Sequence, residues 1–210
     1  MSVPTTAPPI LESGDRLTRA EFHRRYCARP DIRMAELVEG VVYVASPVRL
    51  GAHGEPHASV VLWLGTYRAA HSGLRLGDNA TVLLDADNEL QPDAFLCREG
   101  PGGPRVTDED YIDGAPQLVV EIAASSASYD LHDKMQAYRR NGVREYIVWR
   151  VLDESIDWFR LREGEYVRVE PDARGVIESD VFPGLRLNVP QLLADDLAGV
   201  LAELGPTPDD

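Results

Sequence analysis

The 210-residue sequence is 44% hydrophobic and 27% charged, the proportions of an ordinary folded chain rather than of a disordered, collagenous or coiled-coil one. A formal net charge of −14 argues against long-range attraction to nucleic acid or anionic lipid. No stretch reaches the roughly 18 apolar residues of a membrane span and no basic, then apolar, leader opens the chain, so a cytoplasmic protein is expected.

Residues 1–14, rich in Pro, Thr and Ser, are expected to form a flexible tail ahead of a single domain over 15–205. Thr18 followed by Glu21 is a capping box that opens a short helix through Tyr26. Met34–Val38 and Val41–Ala45 predict an N-terminal β-hairpin turning at Glu39 and Gly40 and closed by Ser46 and Pro47. From His57, the spacing of Val60, Val61, Leu64 and Tyr67 predicts an amphipathic helix ending near Gly73. Ala80–Leu84 and Leu90–Cys97 predict strands divided by the acidic turn Asp85–Asn88, with a loop at 99–104 after them. Leu118–Ala123 is an apolar run suited to a strand covered on both faces, yet it contains Glu121. A polar helix over Asp130–Asn141, stopped by Gly142, leads to strands at Arg144–Val151, Ser155–Leu161 and Glu165–Val169 and to a helix from Pro190 to Leu204. The strand, helix and strand across 118–151 make a βαβ unit among antiparallel hairpins. The expected class is therefore α/β (α+β), a mixed β-sheet flanked by helices.

The chain has no phosphate loop, HExxH, GxSxG or GxGxxG. Cys27 and Cys97 fit neither a disulfide scaffold nor a zinc spacing. Among the cations there are twenty arginines and one lysine, Lys134, and an ammonium in an otherwise arginine-only chain is a candidate for chemistry. Asp93, after Pro92, and Glu121 are carboxylates expected on adjacent strands, an arrangement that can share a hard divalent ion such as Mg²⁺. A nearby lysine can steady an attacking hydroxide or the charge growing on a phosphate. Tyr138, one helical turn beyond Lys134, is placed to order the lysine, to touch substrate or to pack the helix on the sheet. Residues 132–150 hold Lys134, Arg139, Arg140, Arg144 and Arg150 against Asp133 and Glu145, a locally basic stretch able to meet phosphate. Serine hydrolysis through Ser125, Ser126 or Ser128 with His132 lacks an orienting acid.

The run AELVEG at 35–40, the helix opening with His57, QPDAF at 91–95 and APQLVVEIAASSASYDLHDKMQAYRRNGVREYIVW at 115–149 resemble the Uma-type restriction-endonuclease family. That family is a bacterial branch of the PD-(D/E)xK restriction-endonuclease-like superfamily, and the likeness covers about residues 30–190. It implies an endonuclease that hydrolyses phosphodiester bonds in DNA, with Mg²⁺ or Mn²⁺ held by Asp93 and Glu121, Lys134 as the catalytic lysine, and a homodimer. Glu36 and His57 match positions recurrent in the family. There is one departure: Ala123 stands two residues after Glu121, where the superfamily has its lysine, so the lysine is moved onto the following helix at Lys134. The rival expectation is a catalytically silent nucleic-acid-binding or protein-assembly module on the same fold, which the charge of −14 favours.

Overall fold

The computed structural model describes residues 10–45, 47, 49–100, 103–124 and 126–205. Most of the expected tail, part of the 99–104 loop, and Ser46 and Ser125 lie outside the described residues.

Helix α1 (Arg19–Cys27) leads into the hairpin β1 (Ala35–Val38) and β2 (Val41–Val44). A π-helical turn at Leu50–Gly54 runs into α2 (Glu55–Ala70). Then come β3 (Arg75–Asp78), β4 (Val82–Leu83), β5 (Glu89–Leu90), β6 (Ala94–Cys97), β7 (Arg105–Val106) and β8 (Ile112–Asp113). β9 (Leu118–Ala123) reaches the parallel strand β10 (Glu145–Arg150) through α3 (Ala127–Tyr129), a π-helical turn at Asp130–Lys134 and α4 (Met135–Arg140). β11 (Ser155–Arg162), β12 (Glu165–Arg168), β13 (Val176–Glu178), β14 (Arg186–Asn188), α5 (Val189–Leu193) and α6 (Leu197–Ala202) follow.

The strands form two six-stranded mixed sheets, ordered β2-β1-β5-β4-β8-β7 and β12-β11-β10-β9-β6-β3, and a separate β13-β14 hairpin. The mixed α/β class expected from the sequence is the class found. What the sequence did not indicate is the first of these sheets, which beyond the β1-β2 hairpin is assembled from two-residue strands too short to show any period. Strand residues alternate between two cores, as a period of two requires. Leu118, Val120 and Ile122 of β9 join Trp63 and Leu64 of α2 and Trp158 of β11. Val119 and Ala123 face the other way, with Val82 and Leu90 of the first sheet and Tyr138 of α4. Glu121 shares that second face by parity.

Four local expectations are corrected. Leu90–Cys97 is not one strand: β5 belongs to the first sheet and β6 to the second, and the chain crosses at Gln91–Asp93, where Pro92 cannot donate to a ladder. The C-terminal helix is two helices, broken at Asp195, whose φ is 58°. Residues 10–14 are not tail: Leu11 is buried, the Gly14 N–H donates to the Val42 carbonyl at 2.8 Å and the Val44 N–H donates to Ser13 Oγ at 2.9 Å. Thr18 caps α1, but Glu21 turns to Arg24 and Arg25 instead of completing the capping box.

Gly77 on β3 lies opposite Phe95 on β6, and a Cβ there would run into the Phe95 ring. Gly77→Ala is therefore expected to destabilise the protein by about 1–3 kcal/mol through overpacking. Chemical denaturation checks this, and an unchanged midpoint contradicts it.

Candidate functional site

The ladder that sets the site is β6 against β9. Ala94 lies opposite Val120, so continuing the antiparallel register by one residue brings Asp93 level with Glu121. Opposed residues in such a pair have Cβ atoms about 5 Å apart, close enough for two carboxylates to act on one ligand. The ladder's next bond is made by a side chain: the Ile122 N–H donates to Asp93 Oδ2 at 2.7 Å. This fixes Asp93 at the crossover between the sheets.

Lys134 closes the opposite wall. It sits in the π-helical turn ahead of α4, and π turns commonly mark functional positions because they re-aim a side chain within a helix. Its ammonium lies 2.9 Å from Glu36 Oε2 and 3.0 Å from Glu121 Oε1, with Asp130 Oδ1 farther off at 3.9 Å. Glu36 comes from β1 and is held by the Gln91 N–H, which donates to Oε1 at 2.8 Å. Tyr138 donates to Glu121 Oε1 at 2.8 Å. The tyrosine is fully buried behind Glu121, so of the expected roles it takes packing and ordering, and it orders the carboxylate rather than the lysine.

Glu36, His53, His57, Asp93, Glu121 and Lys134 share the wall of one cavity of about 770 Å³. All the residues expected for the site, apart from the buried Tyr138, thus meet around one space. Among the described residues His57 bonds to neither the Asp93 nor the Glu121 carboxylate: its Nε2 lies 2.8 Å from the Asp93 carbonyl oxygen and 3.1 Å from Asp78 Oδ1, so it braces the crossover backbone. His53 takes the place next to the carboxylate, with Nε2 3.0 Å from Asp93 Oδ1. Sequence reasoning passed over His53, although its spacing of four from His57 puts two imidazoles a turn apart. It passed over Asp130 as well, four residues before Lys134, which Ser126 anchors with a hydroxyl 2.6 Å from Oδ2.

The arginines read as a basic face are largely spent on ion pairs. Arg139 pairs with Glu165, Arg140 with Glu39 and Asp85, and Arg150 with Asp153 and Asp157. Lys134 itself is buried. That stretch therefore offers much less free positive charge than its composition suggests.

Charge is unevenly balanced in the cavity. Glu36, Asp93, Glu121 and Asp130 are all at least nine-tenths buried, and Lys134 is the buried cation among them. Burial pulls the Lys134 ammonium down, but Glu121, Glu36 and Asp130 more than reverse this and hold it well above its usual value, so it stays charged. Burial pushes the Glu121 carboxyl well above its usual range; Lys134 opposes this, while Asp93, Asp130 and Glu36 add repulsion. Asp130 is raised by burial too, against Lys134 and Ser126. Asp93 goes the other way: burial works against its charge, but the His53 hydrogen bond and charge, the Ile122 N–H and Lys134 together outweigh it. His53 is raised in return by its Asp93 hydrogen bond.

A hard divalent cation fits this arrangement. The donors are carboxylate oxygens, and four buried carboxyl groups face one ammonium and one imidazole, so the cavity is short of positive charge as those carboxyls ionise. Among the described residues, no three His, Cys, Asp or Glu side chains already converge on one metal position. Asp93 and Glu121 are the pair that could hold such an ion, by the two-carboxylate kind of grip that Mg²⁺ accepts while it keeps water and phosphate as its other ligands.

Comparison with known proteins places the chain. Among the described residues no helix is long and apolar enough to cross a membrane. No curated protein matches the sequence. Among solved structures, a protein from Anabaena variabilis ATCC 29413, titled a putative nuclease belonging to DUF820, has a similar fold, with a TM-score of 0.61 at 16% identity over 76% of this chain and 89% of that one. The family described as "Uma2: Putative restriction endonuclease" matches residues 19–190. Since that match takes in most of the sequence, the chain belongs to the Uma2 family.

Proposed function

We propose that the protein is a divalent-metal-dependent nuclease that hydrolyses phosphodiester bonds in DNA. The observation that carries this reading is the surplus of buried carboxylate around a single ammonium in one cavity, a cost that a protein sustains where a cation is to be bound. Family membership and the nuclease-like fold support it.

Asp93 and Glu121 would hold Mg²⁺ or Mn²⁺, which when bound supplies a Lewis acid for the phosphoryl oxygen and lowers the pKa of water. Lys134, held as an ammonium, cannot take a proton from that water. It orients the water and offsets the negative charge that grows on the phosphate. Glu36 aims the ammonium, Tyr138 holds the Glu121 carboxylate, and His53 and the Ile122 N–H keep Asp93 ionised and in place. As water attacks phosphorus, the bond to the leaving sugar oxygen breaks; the attacking water gives up its proton to solvent, and the leaving oxygen takes one from solvent. Because the described residues place Asp93, Glu121 and Lys134 around one cavity, cutting both strands of a duplex calls for two copies, and we take a homodimer in a bacterial cytoplasm as the working form.

One observation favours a second reading, a silent binding or assembly module: the Lys134 ammonium is already satisfied by two carboxylates. A calorimetric titration with Mn²⁺, run beside a plasmid-cleavage assay, separates the two. The nuclease reading expects metal binding by the wild type, at least about tenfold weaker binding in Asp93→Asn, and cleavage lost in step. A wild type that binds no metal and cuts no DNA supports the module.

A further inference from the structure

We propose that Cys27, His23 and Glu89 form a second reactive site, a thiol nucleophile with its base and orienting acid, whose substrate class is a small hydroperoxide. The three groups stand in line. Cys27 Sγ lies 3.5 Å from His23 Nε2, and on the far side of the same ring His23 Nδ1 lies 2.9 Å from Glu89 Oε1. α1 makes the first contact, because Cys27 and His23 are one turn apart on it. The second depends on tertiary structure, since Glu89 belongs to β5 of the first sheet.

The chemistry follows from the order of the atoms. A carboxylate only accepts hydrogen bonds, so Glu89 fixes the tautomer with the proton on Nδ1 and leaves Nε2 bare toward the thiol. That is the tautomer able to take the thiol proton, and the resulting imidazolium is steadied by the carboxylate, the logic of nucleophile–histidine–acid arrangements on many folds. Glu89 is buried at 1% exposure, and its Oε2 has no hydrogen-bond partner among the described residues. An expensive buried carboxylate with a single partner, the histidine, needs a reason. Tyr111 completes the surroundings, its ring meeting His23 edge-on at 5.3 Å. None of these residues lines the carboxylate cavity.

Cys27 is exposed, whereas Cys97 is buried and burial pushes its thiol up to about 11. A small hydroperoxide reaches an exposed sulfur at a helix end without a binding pocket. The thiolate sulfur attacks one oxygen of hydrogen peroxide and the O–O bond breaks. Sulfur is oxidised by two electrons to the sulfenic acid, and the departing hydroxide takes the proton from His23 and leaves as water. A low-molecular-weight thiol then condenses with the sulfenic acid, giving a mixed disulfide and a second water.

The test treats the full chain with hydrogen peroxide at neutral pH, traps sulfenic acid with a cyclic dione and locates the adduct by mass spectrometry over time. The adduct is expected on Cys27 and not on Cys97. It should form roughly threefold faster or more than on free cysteine, because His23 is placed to take the thiol proton as the sulfur attacks. His23→Gln should bring the rate down to that of free cysteine, and Glu89→Gln, isosteric but uncharged, should lower it as well. A wild-type rate no greater than that of free cysteine, or equal rates in wild type and both variants, overturns the proposal. Metal-dependent cleavage is read separately and does not bear on the result.

Discussion

Lys134→Met is expected to lower the free energy of unfolding of the metal-free protein by about 3–5 kcal/mol near neutral pH, because it leaves Glu36, Glu121 and Asp130 buried with no cation between them. The methionine matches the lysine stem in length, so the loss is electrostatic rather than a cavity. Lys134 has its folded value raised above its usual one, which means that its stabilisation is complete below about 10.5 and is lost only above it. The full penalty is thus present at neutrality. It should shrink on acidification, since Glu121 and Asp130, both raised by burial, take up protons early and remove the repulsion. Added Mg²⁺ or Mn²⁺ should also restore stability by mass action, as the ion replaces the missing charge. Cleavage, in contrast, should stay low by roughly 10²- to 10³-fold even with metal present, for want of the group that offsets charge on the phosphate. Denaturation curves at two pH values with and without metal check the first part and plasmid cleavage the second. A loss of less than about 1 kcal/mol would show that the four carboxylates do not depend on this ammonium.

The lysine was visible in the sequence because it is alone among arginines, and Glu121 because it interrupts an apolar strand. Both are local anomalies, and local anomalies survive in a one-dimensional reading. That Asp93 and Glu121 face each other was harder to see. It follows from the register of β6 on β9 and from the break at Pro92, which sends β5 and β6 into different sheets. The expected continuous strand would have hidden that crossover. His53 and Asp130 went unseen because each owes its place to a π-helical turn. Such a turn shifts side chains relative to a 3.6-residue period and leaves no trace in hydrophobic spacing. The charged face failed for a different reason: Arg139 and Arg140 find partners distant in sequence and Arg150 pairs with Asp153 and Asp157 just past the basic stretch, so a count of charge within that stretch cannot register them.

Glu121→Gln is expected to make the metal-free protein more stable near neutral pH by about 1–2 kcal/mol while abolishing divalent-metal binding and cleavage. The amide keeps the Oε1 acceptor used by Tyr138 and Lys134 and removes one of four mutually repelling charges. The pH dependence fixes the sign. Glu121 titrates well above its usual 4.5 in the folded chain, so between the two values the unfolded state holds fewer protons than the folded one and wild-type stability falls as pH rises. Glutamine has no such titration. The difference between variant and wild type should therefore be near zero in acid, open as pH passes about 4.5 and level off above the folded value of Glu121. Saturating Mn²⁺ should reverse the order, stabilising the wild type alone. Thermal or chemical denaturation across pH, repeated with Mn²⁺, reads all three features. A variant less stable than wild type in the absence of metal would mean that Lys134 needs the Glu121 charge more than Glu36, Asp93 and Asp130 suffer from it, and the cavity would then be a balanced ion-pair network rather than a site held short of a cation.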